Sequence, residues 1–92
     1  MSLSVQRTVV ICNKRGLHAR AAARFVKLAE TFSSEVTVTR RDQSVSGRSI
    51  MGLMMLAAVP GATIDIAAAG DDAETAVAAL ATLVERRFDE DE

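Results

Sequence analysis

The sequence predicts a two-layer α/β sandwich, open on one face, with a four-stranded antiparallel sheet covered on one side by three helices. Two observations carry this expectation. Segments whose apolar residues alternate at every second position interleave with segments whose apolar residues recur at helical spacing, giving the order β-α-β-β-α-β-α. Amphipathic helices in such a chain can each bury one face only by sharing a surface, and one antiparallel sheet with every helix on the same side provides it. The chain of 92 residues is short enough to form one domain, 1–92, with a core just large enough to stand without disulfides. Residues 1–4 are expected to be a flexible start and residues 89–92 an acidic tail that frays into solvent.

The first strand is read from Val5 to Cys12, a stretch rich in β-branched residues and without Gly or Pro, buried towards its end at Val9-Val10-Ile11. Asn13-Lys14-Arg15-Gly16 reads as a turn. From His18 to Phe32 the period becomes helical, with Ala22, Phe25, Val26, Ala29 and Phe32 on one face and Arg20, Arg24, Lys27 and Thr31 on the other. Glu35 to Thr39 alternates as a half-buried strand should. Arg41-Asp42-Gln43 reads as a hairpin loop leading to a shorter strand around Ser44 to Gly47. Ser49 is placed to cap a short helix running to about Ala58. Pro60-Gly61 turns the chain into a last strand through Thr63 to Ala67, and Gly70 ends it. Asp71 with Glu74 three residues on resembles a capping box for the final helix, whose inner face is Ala76, Val77, Leu80, Leu83 and Val84, extended by Phe88.

Composition excludes several classes of function. With three Phe and no Trp or Tyr, the chain has no ring-lined surface on which nucleobases could stack. A formal net charge of −1 gives no bulk attraction to nucleic acid or membrane. No run approaches the roughly 20 apolar residues of a membrane span. The single cysteine, Cys12, allows no internal disulfide and suits a reducing cytoplasm. Neither a second His nor a Cys or carboxylate at ligand spacing accompanies His18, so no metal or other cofactor is expected. An independent hydrolase would need a base or a second carboxylate beside the histidine, and the segment has none.

His18 is nonetheless well placed for chemistry. Gly16 lets the backbone turn sharply into the helix. The histidine then falls at the helix start, where backbone N–H groups such as that of Ala19 lack intrahelical partners and the dipole favours an anion. Arg20 adds a guanidinium able to make charge-assisted hydrogen bonds to a phosphate. An imidazole that titrates near neutrality keeps one nitrogen available as a nucleophile, and phosphoryl–nitrogen bonds transfer readily. Gly16, Ala19 and Arg20 are therefore the expected phosphate-binding residues, with His18 and Arg20 carrying the transfer. Exposed N–H groups and one arginine hold a phosphoryl group loosely enough to be passed on.

The second informative segment is the short helix behind Ser49. Leu53, Leu56 and Ala57 fall on the side expected to face the sheet, while Met51, Met54 and Met55 fall nearly opposite, where a two-layer domain has only solvent. Adaptable methionines in that position suit a docking surface for partner proteins. Arg20, Arg24, Lys27 and Arg48 would supply a basic rim complementary to acidic partners.

At these two segments the sequence resembles a known family. Gly16-Leu17-His18-Ala19-Arg20 is similar to the active-site segment of HPr, the histidine-containing phosphocarrier family of the bacterial phosphoenolpyruvate-dependent phosphotransferase system. Arg48-Ser49-Ile50-Met51-Gly52-Leu53-Met54 is similar to that family's regulatory serine segment, and the spacing and element order agree across nearly the whole chain. The resemblance implies phosphorylation of His18 at Nδ1 by enzyme I, donation to an EIIA-type acceptor, and neutralisation of the phosphate by Arg20. The chain would then be a cytoplasmic, monomeric intermediate carrying phosphohistidine rather than an independent catalyst. The resemblance also implies that an HPr kinase/phosphorylase modifies Ser49 and that Ile50 joins the partner surface, although its helical angle lies near the core stripe. The alternative is a regulatory binding module acting through its phosphorylation state. Two positions depart from the common pattern: Ala21 stands where most members have Pro, and Arg15 where a small polar residue is usual. Asn13-Lys14-Arg15-Gly16-Leu17-His18 also resembles the nitrogen-related branch called NPr, so sugar transport does not follow from the motif.

Overall fold

Four strands and three helices form in the predicted order in the computed structural model, which describes residues 4–90. The strands are β1 (Ser4–Val10), β2 (Glu35–Arg40), β3 (Gln43–Ser46) and β4 (Thr63–Ala69), and every neighbouring pair is antiparallel. Their spatial order is β1-β4-β2-β3, so β4 is central and pairs Ile64 with Val9 and Ile66 with Val38. The alternation read from the sequence becomes two faces. Val9, Val36, Val38, Ile64, Ile66 and Ala68 are buried beneath the helices. The opposite face carries Thr8, Thr39, Ser44 and Asp65, with Thr8 Oγ1 donating to Asp65 Oδ1 at 2.5 Å and Thr39 and Ser44 sharing a hydroxyl bond of 2.7 Å.

The helices are α1 (Ala19–Ala29), α2 (Ile50–Met55) and α3 (Ala73–Glu85). α3 packs on β1 and β4, α2 on β3, and α1 on both other helices. Phe25, Val26 and Ala29 of α1 meet Leu53 of α2, Leu56 just after it, and Val77, Leu80 and Val84 of α3 in one core.

Several boundaries differ from the sequence reading, each for a physical reason. Ser4 is the first residue of β1, paired with Ala69, and not part of a flexible start; residues 1–3 and 91–92 lie outside the described residues. β1 stops at Val10, which is half exposed because it falls on the open face, and Ile11 beyond it is fully buried. α1 begins one residue after His18, which is its N-cap. The hairpin loop is only Arg41-Asp42, since Gln43 already pairs with Arg40, and Arg41 takes the turn with φ of 57°. α2 ends at Met55, and Ala57 is exposed with φ of 51° instead of facing the sheet. That left-handed residue turns the chain so that buried Ala58 can accept a hydrogen bond from the Leu17 N–H at 2.9 Å.

The cap of α3 is Asp72, not Asp71, and no capping box forms. Its carboxylate instead reaches the loop between α1 and β2, accepting from the N–H groups of Ser33 (2.8 Å) and Ser34 (2.9 Å) and from the Ser34 hydroxyl. Hydrogen bonds from Ser34 and then Ser33 hold the Asp72 carboxyl at about 2. Finally, the tail does not fray through residue 90. Arg87, Phe88 and Asp89 all have φ near +60°, a left-handed turn at Arg87–Asp89 that carries the chain back across the helices and buries Phe88 completely.

Candidate active site at the start of the first helix

The site is built by the turn between β1 and α1. Gly16 has φ of 68°, and a Cβ there would lie 2.6 Å from the Ala58 carbonyl oxygen, so both backbone conformation and close approach require glycine. The following Leu17 N–H is tied to Ala58, which fixes the approach to α1. His18 has extended backbone dihedrals, and its carbonyl accepts the first helical bond from the Ala22 N–H at 2.8 Å.

The cap is the imidazole itself. Nδ1 accepts from the Arg20 N–H at 3.3 Å, which requires a lone pair on Nδ1. At the other edge of the ring Nε2 is hydrogen-bonded to Glu90 Oε2. Carboxylate at one nitrogen and N–H donor at the other select the Nε2–H tautomer and leave Nδ1 aimed at the positive end of α1. The His18 and Glu90 side chains are only 16% and 15% exposed, so their interaction is weakly screened.

Glu90 has its own supports. Asn13, fully buried, donates its amide to Glu90 Oε1 at 2.8 Å and to the Gly16 carbonyl at 2.7 Å, while its Oδ1 has no hydrogen-bond partner among the described residues. Burial opposes ionisation of Glu90. The hydrogen bonds from Asn13 and His18, with the nearby guanidinium of Arg24, outweigh it and hold the carboxyl below its ordinary value.

The other expected site residues separate into groups. Ala19 and Arg20 are exposed in the first turn of α1, and Arg15 is exposed in the turn before it. Ala21, in the usual proline position, is fully buried and sits within the helix without disturbing it. The cap that Arg15 does not supply comes from His18. Arg24 donates to the Phe88 carbonyl, and with Lys27 it lines a groove between α1 and α3, so neither borders the methionine patch on α2. Arg48 reaches the carbonyls of Phe32 (2.7 Å) and Ser34 (3.3 Å). On α2, Ile50, Met51, Met54 and Met55 line one exposed apolar surface, with Met51 74% and Met55 64% exposed. Ser49 caps that helix, its Oγ accepting from the Gly52 N–H at 2.9 Å.

Hydrogen bonds fix how these parts lie. Arg48, just before α2, holds carbonyls beyond the end of α1, whereas Ala58, just after α2, meets Leu17 at its start. α2 therefore runs antiparallel to α1. Its methionine-bearing C-terminal end points towards His18, and Ser49 sits at the opposite end of the pair. Two contributors went unread in the sequence, Asn13 and Glu90. Glu90 lies 72 residues from His18 in an acidic run with no periodicity, and nothing local marks it.

Among the described residues no cluster of three or more His, Cys, Asp or Glu is placed to hold a metal ion, and no helix is long and apolar enough to cross a membrane. The family described as "PTS HPr component phosphorylation site" matches residues 5–86. A phosphocarrier protein HPr of Neisseria meningitidis serogroup A is 47% identical over 88 residues, covering 96% of this chain and 99% of that one. A phosphocarrier protein NPr of Shewanella violacea is 43% identical over 86 residues, covering 94% of each. The crystal structure of an HPr from Thermoanaerobacter tengcongensis superposes with a TM-score of 0.91 at 43% identity, covering 96% of this chain and 99% of that one.

Proposed function

Since the chain belongs to the HPr family of phosphocarriers of the phosphotransferase system, we propose that residues 1–92 form one phosphocarrier domain whose carrier atom is His18 Nδ1. The observation that carries this reading is the setting of the ring: Nδ1 faces the Arg20 N–H at the N-terminus of α1, and Nε2 is held by Glu90. The phosphoryl group comes from enzyme I and leaves for an EIIA-type protein. Once on Nδ1, its oxygens take over as acceptors for the first-turn N–H groups, including those of Ala19 and Arg20, and the Arg20 guanidinium neutralises their charge. Gly16 shapes the turn that permits this approach. The group is held without burial or metal, which suits onward transfer.

Docking uses the Ile50, Met51, Met54 and Met55 surface, whose C-terminal end lies towards His18, with Arg24 and Lys27 contributing positive charge from the separate groove between α1 and α3. Phosphorylation of Ser49 by an HPr kinase/phosphorylase acts at a distance from the histidine. About two negative charges at the start of α2 repel an acidic partner without unfolding the helix. The protein works as a cytoplasmic monomer. A second reading, a regulatory binding module of the nitrogen-related kind, is favoured by the similarity to an NPr.

Incubation with enzyme I and phosphoenolpyruvate should add the mass of one acid-labile phosphate to the wild-type chain and none to His18→Ala. Uptake of the same label by His18→Ala would overturn the assignment. Pull-downs with the phosphorylated and unphosphorylated forms then separate the pathways by which EIIA-type protein is retained.

A further inference from the structure

We propose that Glu90 is a positioning residue for the carrier histidine: through Nε2 it fixes the tautomer that leaves Nδ1 nucleophilic and offsets the charge the ring gains on phosphorylation. The proposal rests on the carrier reading of His18. Its basis is that a residue beyond the last helix has been brought to the ring and braced there from three sides.

The first brace is the left-handed turn at Arg87–Asp89, which reverses the chain after α3 and seats Phe88 in the core. The second is Arg24, whose guanidinium holds the Phe88 carbonyl. The third is Asn13, which donates to Glu90 Oε1 and to the Gly16 carbonyl at once, tying the tail to the turn that aims His18. That double duty uses both N–H bonds of the fully buried Asn13 amide. A carboxylate that orients an imidazole through its remote nitrogen is a general device in acyl-transfer and metal sites.

The chemistry balances without moving a proton on the carrier. The Nδ1 lone pair forms the bond to phosphorus as the bond from phosphorus to the donor breaks, its electron pair staying with the donor. Nε2 keeps its hydrogen, so the ring becomes cationic, and the adjoining Glu90 carboxylate opposes that charge. When the phosphoryl group leaves, the P–Nδ1 electron pair returns to Nδ1 and the neutral Nε2–H tautomer is restored.

The test compares wild type, Glu90→Ala and Glu90→Gln in the full chain. Ring 15N chemical shifts of His18 should show an unprotonated Nδ1 and a protonated Nε2 in wild type. In Glu90→Ala both nitrogens should shift towards a tautomer mixture, with the initial rate of phosphoryl uptake from enzyme I falling about tenfold. Glu90→Gln retains an acceptor for Nε2–H but no charge, so it should keep the wild-type shifts and still lose rate. Unchanged shifts and rate in Glu90→Ala would overturn the proposal. A wild-type chain that takes up no phosphate would overturn the carrier reading instead, while its ring shifts would still test the role of Glu90 in setting the tautomer.

Discussion

At the scale of single residues, the decisive side chains are those that join segments far apart in the chain. The sequence points to Asp71 at the start of the last helix, whereas the residue that matters is Asp72, whose partners Ser33 and Ser34 could not be inferred because they belong to a loop nearly 40 residues earlier. Its carboxyl is held at about 2 against an ordinary 3.8. A depressed pKa means that the ionised form is favoured by folding, so the contribution is present above pH 3.8 and is lost as the pH falls towards 2. Asp72→Asn should therefore lower stability at neutral pH and flatten the acid limb of the unfolding curve between these values. Urea midpoints at a series of pH values measure this, and an unaltered acid limb would refute it. His18 differs in that its candidacy is visible from Gly16 and Arg20 nearby, whereas its contact with Glu90 is not.

At the scale of elements, local signals served best where a side chain satisfies its own helix. Ser49 was legible as a cap because the acceptor and the Gly52 N–H lie three residues apart, and the structure has that bond. Ser49→Ala should cost about 1 kcal/mol, read as a shift in the urea midpoint with an unchanged slope. A loss well under half of that would mean that packing of Leu53 and Leu56, not the cap, holds this six-residue helix. The exposed methionines were also legible, because a two-layer fold leaves one side of α2 without a partner layer. The end of α2 was not: apolar Ala57 continues the helical pattern, but the chain must turn there to bring Ala58 to Leu17. Likewise Arg24 and Lys27 were correctly assigned to the outer stripe of α1, while the placement of α3 decided which side of that stripe faces a groove.

At the scale of the whole molecule, the chain closes on itself through its last residues. Phe88 was expected to extend the inner face of α3 by another turn. Instead α3 stops at Glu85, and the left-handed turn delivers Phe88 to the core from a different direction. Each left-handed residue costs on the order of 1–2 kcal/mol, which full burial of an aromatic side chain helps to offset. Phe88→Ala should destabilise the domain by about 3 kcal/mol and free the tail, measured by urea unfolding together with the His18 ring shifts. Stability within about 0.5 kcal/mol of wild type would show that the tail is not part of the fold.

The sequence by itself determined the class of fold, the order of elements, the core faces and the two candidate functional segments, because periodicity, caps and a glycine turn are interactions between near neighbours. Only the tertiary structure decided that β4 lies at the centre, that Ser49 and His18 sit at opposite ends of an antiparallel helix pair, and that Asn13 and Glu90 complete the histidine site. Those contacts join residues up to 77 positions apart. Polar residues in turns and tails carry no period, so their partners are set by how the layers pack and not by their own spacing.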